Sequence, residues 1–194
     1  GAVLLASTNA EMLAQSARLA VQAAMELGRW DDAARVASEG ARRLGTNAAA
    51  AELAAWEGEA WMRGGSHTNA LRAFEAHAAR YPTARSAARV RFLAGYCALA
   101  AGDAKRALQG FDALIAKHPG DEHVAEARYW AGMAALMGGD PAAARERFAE
   151  YLKREAHGAR AADAAYRRAA ALVPLGDYDA AVRELNVVLK RDDL

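Results

Sequence analysis

The 194-residue chain carries 25 lysines and arginines against 24 aspartates and glutamates, and 54% of its residues are hydrophobic. That balance gives no electrostatic basis for binding nucleic acid or an anionic membrane surface. A single cysteine, Cys97, excludes an intramolecular disulfide and reads as a small buried residue within a helix.

Residues 1–9, GAVLLASTN, are apolar over too few positions to span a bilayer and lack the basic leader of a signal peptide. Gly1 in place of methionine suggests a processed or engineered start, and a fragment from which a signal, anchor or neighbouring domain has been removed. From there a repeat governs the chain. Gly28, Gly65, Gly102, Gly139 and Gly176 recur every 37 residues, and so do Ala33, Ala70, Ala107, Ala144 and Ala181. Two positions kept over four equal intervals predict five helical hairpins, with the glycine at each turn.

The first hairpin, about 10–44, is degenerate, with Val21 and Ala37 where later repeats have glycine and phenylalanine, as a terminal repeat allows. The second, about 48–81, holds Trp56, Trp61, Gly58 and Phe74. The third and fourth, about 86–118 and 123–155, match best, with Gly95 and Phe111, then Gly132 and Phe148. The fifth, about 161–190, has Ala169 and Leu185 instead, and Pro174 predicts a tightened or kinked turn before Gly176. Gly58, Gly95 and Gly132 lie mid-helix, where glycine costs about 1 kcal/mol, so close helix approach is expected there, with the repeated alanine facing them. The phenylalanines are expected to fill the space between one hairpin and the next. Asp103, Asp140 and Asp177 are placed to cap second helices, with Pro141 at a first helical position. Arg43, Arg80, Lys117, Arg154 and Arg191 stand at second-helix ends, where they complement the helix dipole rather than form a basic binding stripe.

Glycine or alanine mid-helix, a Gly-Asp turn, alanine, an aromatic and then proline together resemble the tetratricopeptide repeat (TPR), over nearly the whole chain. The resemblance implies an all-α, right-handed superhelical solenoid of five hairpins forming one domain, 1–194. Its usual period is 34 residues. The three extra residues here fall between hairpins, in YPTARSAARV and HPGDEHVAEARYW. That layout, with ARYWAG at 127–132, is similar to bacterial envelope proteins: the Tol-Pal coordinator family and the lipoproteins that assist outer-membrane protein assembly. The resemblance therefore implies a periplasmic or envelope location, with the cytoplasm as the alternative.

Catalytic and metal-binding patterns are weak. There is no Gly-rich phosphate loop and no nucleophile elbow, and His118, Glu122, His123 and Glu126 fall short of a paired-histidine zinc motif. No carboxylate pair stands in an apolar setting. The expectation is a non-enzymatic chain with no cofactor and no metal. By resemblance, the first helices line a concave groove whose C-terminal half is apolar and aromatic: Phe92, Tyr96, Tyr129, Met133, Met137 and Tyr166 are the candidate partner-binding residues. Its N-terminal part is polar, with Arg18, Gln22, Glu26, Glu59 and Arg63. Tyrosine and methionine together suit an apolar or amphipathic protein segment. The lysine and asparagine set that clamps chaperone C-termini in some TPR proteins is absent. The alternatives are a non-catalytic superhelical domain of a larger enzyme, such as a lytic transglycosylase, or a structural module that self-associates. The chain stops at Leu194 without a closing polar helix, so Val182, Leu185, Val188 and Leu189 are expected to be only partly covered, either by more chain or by another molecule.

Overall fold

The computed structural model describes residues 2–190, with side-chain surroundings from residue 9 onward. Those residues form an all-α repeat solenoid of α1 Ala2–Glu26, α2 Trp30–Leu44, α3 Ala48–Arg63, α4 His67–Arg80, α5 Ala87–Ala100, α6 Ala104–Lys117, α7 Val124–Met137, α8 Pro141–Arg154, α9 Ala161–Ala170 and α10 Tyr178–Leu189. Helix α1 begins eight residues before the expected start, because no glycine or proline interrupts residues 2–27. No helix among the described residues is long and apolar enough to cross a membrane.

The turns follow from residue chemistry. Gly28, Gly65, Gly102, Gly139 and Gly176 all adopt positive φ, between 68° and 83°, a region that side chains with a Cβ disfavour. Carboxylates of Asp103, Asp140 and Asp177 accept hydrogen bonds from the backbone N–H of Arg106, Ala143 and Ala180, capping α6, α8 and α10. Arg43, Arg80, Lys117 and Arg154 lie in the last turns of α2, α4, α6 and α8, while Arg191 lies outside the described residues. Pro174 acts as expected: α9 stops at Ala170, and residues 171–176 continue as tight turns bonded from Val173 to Ala170 and from Gly176 to Val173. The connectors 81–86, 118–123 and 155–160 share a pair of successive tight turns, seen in Ala84 N–H to Tyr81 C=O and Ala87 N–H to Ala84 C=O. These segments hold the three residues added to the usual repeat.

The helices divide into two compact units, residues 1–101 with α1–α5 and residues 102–194 with α6–α10. The first packs Val21, Ala33, Ala37, Leu53, Ala60 and Tyr81 into one core, where Leu53 of α3 lies against Gly40 of α2. The second packs Tyr129, Ala144, Phe148, Tyr151 and Ala164. One expectation needs correction. The nearest atoms to Gly58 and Gly132 belong to Phe74 and Phe148 of the same hairpin, not to the repeated alanine. Glycine is required there because an aromatic ring occupies the volume a Cβ would take. The ring thus closes its own hairpin, α3 on α4 and α7 on α8.

Candidate functional site

In the second unit, α7 and α9 are stitched by a chain of polar contacts. Glu126 of α7 accepts two hydrogen bonds from Nε of Arg160, at 3.0 and 2.8 Å, and a third from Trp130 Nε1 at 3.1 Å. The Arg160 guanidinium lies 4.8 Å from the Tyr129 ring centre and 5.1 Å from that of Trp130. Tyr129 donates its phenol proton to Asp163 of α9, which also accepts from Arg167 Nε at 2.5 Å. Burial raises the pKa of Asp163, but the hydrogen bonds from Arg167 and Tyr129 outweigh it and hold the carboxyl below its usual range. Burial and the Asp163 carboxylate push the Tyr129 phenol upward. These groups hold one another, and the arrangement positions helices rather than a reacting atom.

The first unit repeats the device. Arg18 of α1 pairs with Glu52 of α3 at 2.9 Å, and Glu59 of α3 with Arg89 of α5 at 2.8 Å. The polar N-terminal part of the expected groove is therefore partly engaged in links between successive first helices. Most of these pairs remain exposed enough that each contributes about 0.2–1 kcal/mol, so their role is register more than stability.

The six candidate residues separate by environment. Tyr129 is 3% exposed and lies inside the core, edge-on to Phe148 and Tyr151. Met133 is partly buried against the same cluster. Met137 at the end of α7 and Tyr166 on α9 are each 52% exposed. In the first unit, Phe92 is half-buried and Tyr96 is exposed, both on α5. Nearby Cys97 is fully buried, and burial pushes its thiol up to about 11, so it is an unreactive packing residue. The Glu126–Arg160 and Tyr129–Asp163 links escape sequence reasoning. Their common separation of 34 residues was the available signal, but it lies three short of the repeat period. Among the described residues, no group of three His, Cys, Asp or Glu side chains is placed to hold a metal ion.

Comparison with known proteins places this architecture. The family model of YfiO, described as an outer membrane lipoprotein, matches residues 51–173, more than half of the chain. This chain belongs to the YfiO outer membrane lipoprotein family. The matched segment runs from within α3 into the tight turns after α9, so it includes Tyr129, Met137 and Tyr166. No curated protein matches the chain. Among solved structures, a MamA protein aligns with a TM-score of 0.76 at 17% identity, covering 92% of this chain and 91% of MamA. MamA from Desulfovibrio magneticus RS-1 gives 0.73 at 20% identity, covering 92% and 94%. A putative kinesin light chain of Podosopora anserina with TPR-like repeats gives 0.66 at 14% identity, covering 90% and 92%. At such identities the likeness is one of fold, and it is to TPR proteins.

Proposed function

We propose that this protein is a non-catalytic interaction scaffold of the bacterial envelope, which holds an apolar or amphipathic segment of a partner protein on its first-helix face. The observation that carries the reading is the half exposure of Met137 and Tyr166 on α7 and α9, the two first helices of the second unit. A thioether and a phenol ring offer adaptable apolar contact with one orienting hydroxyl. Charged groups carried by these elements are paired, Glu126 with Arg160 from α7 to the start of α9 and Asp163 with Arg167 within α9, so recognition rests on shape and apolar burial. In the first unit, taken by itself, Tyr96 on α5 is an exposed residue of the same chemistry. Membership of the outer membrane lipoprotein family supports the envelope location. The mutual engagement of Glu126, Arg160, Tyr129 and Asp163 supports a non-catalytic role.

The test replaces Tyr166 with a photoreactive benzophenone amino acid in the full-length protein in its source bacterium. A control places the same group at Arg145, exposed on the second helix α8. A cross-link to an envelope protein through Tyr166 alone is expected, and mass spectrometry then maps the joined segment. Equal adducts from both positions would overturn the reading.

A further inference from the structure

On the first helices α3, α7 and α9, the acids Glu52, Glu59, Glu126 and Asp163 each pair with an arginine. Glu57 of α3 does not. It is half-buried and accepts a hydrogen bond from Ser38 of α2, and among the described residues no lysine, arginine or histidine pairs with it. Burial pushes its carboxyl above the usual range in spite of that bond. A carboxylate drawn partly out of water without a counter-charge is costly, and a cation beside it would recover part of the cost.

The surroundings leave room for one. Glu57 and Trp61, one helical turn apart, line an open cavity of about 330 Å³ in the first unit, together with Asn69, Arg72, Ala73 and Ala76 of α4. At the same register α5 has Ala94 and Ala98 and α7 has Ala131 and Ala135, so this hairpin sets a carboxylate and an indole where those helices set methyl groups. Opposite them α4 stays small, with Ala73 and Ala76 in the register that Arg147 and Glu150 occupy on α8. Trp61 is partly buried against the first-unit core, which supports its ring as a wall of the cavity. Arg72 is the only cation of the lining, and its guanidinium donates to Asn69 Oδ1 at 2.6 Å rather than to Glu57.

We propose that this cavity receives a guanidinium group, that of an arginine side chain on a partner protein. A planar guanidinium can donate two parallel hydrogen bonds to the Glu57 carboxylate and lay its charge on the Trp61 ring, whereas an ammonium presents no plane to either. The volume, at the small end of ligand cavities, suits one side-chain head and stem rather than a whole segment. The proposal is independent of the partner segment at Met137 and Tyr166.

Nitrogen–proton NMR of the tryptophan indoles tests it, with the Trp61 resonance assigned from Trp61→Phe and Trp130 as the internal control. N-acetyl-argininamide is expected to shift the Trp61 resonance saturably and leave Trp130 in place. N-acetyl-citrullinamide, of the same shape without the charge, is expected to leave both in place. Glu57→Gln should weaken the binding about tenfold or more with the thermal midpoint kept, since it removes a charge that nothing compensates. Should that variant unfold, the arginine and citrulline probes on the wild type still decide. An unmoved Trp61 resonance, an equal response to the citrulline probe, or undiminished binding in folded Glu57→Gln would overturn the proposal. So would tighter binding of free arginine than of the capped residue, since that marks a small-molecule site instead of a docking point for a protein side chain.

Discussion

Phe148 lies with its ring edge against Gly132: a Cβ added to that glycine would stand 2.7 Å from Phe148 Cε1. Phe74 and Gly58 repeat the relationship at 2.3 Å. Because each phenylalanine is fully buried, its ring has no solvent to swing into. Gly132→Ala therefore combines a gain of about 1 kcal/mol in helix propensity with an overpacking cost of about 1–3 kcal/mol. We expect net destabilisation in urea unfolding followed by circular dichroism, larger for Gly58→Ala. A stabilised variant at either site would show that the ring can move aside.

The complementary change removes the ring. Phe148→Ala leaves a cavity beside Gly132 in a fully buried site, and a loss of about 3–5 kcal/mol is expected. Phe111→Ala, also fully buried, should cost a similar amount. A loss below about 1 kcal/mol, measured by denaturant titration, would contradict the packing described.

His77 sets a pH dependence. It is 1% exposed, with Nε2 3.0 Å from Ser86 Oγ, and burial pushes its pKa below the ordinary 6.5, with the nearby Arg91 charge adding to the effect. The folded state therefore binds a proton less readily than the unfolded chain. Stability is fully present above pH 6.5 and falls as the pH drops from there through the lower folded-state pKa, by at most about 1.4 kcal/mol per pH unit. His77→Leu, which introduces the residue found at Leu114 one repeat later, should flatten this limb of the stability profile. An unchanged slope would assign the pH dependence to other groups.

Tyr129→Phe isolates the stitch between α7 and α9. It removes the hydrogen bond to Asp163 while leaving Arg167 on that carboxylate, so a cost of about 1–2 kcal/mol is expected. If a partner segment binds at Met137 and Tyr166 as proposed, it should keep its affinity. A variant that loses affinity without losing stability would place the Tyr129 hydroxyl in the binding surface instead.

Much of the fold was legible because the repeat writes it at fixed intervals. Gly28 to Gly176 mark turns that need positive φ, and Asp103, Asp140 and Asp177 mark caps. What faces what was harder. Gly132 announced a close approach, but periodicity alone does not say whether alanine or phenylalanine makes it. The candidate site was legible only as a face. Tyr129 and Tyr166 share one register position, yet Tyr129 is buried and Tyr166 half exposed. Asp163 fixes the former from the following first helix, whereas among the described residues no first helix follows the α9 that carries the latter.

The most direct test of the account is the affinity of the mapped partner segment for wild type and for the Met137→Asp, Tyr166→Asp double variant. Both positions are half exposed, so unfolding free energy should change little. A loss of about tenfold or more in affinity with the denaturation midpoint preserved is expected, and no loss for Arg145→Asp on α8. Unchanged affinity in the double variant, or an equal loss at Arg145, would contradict it.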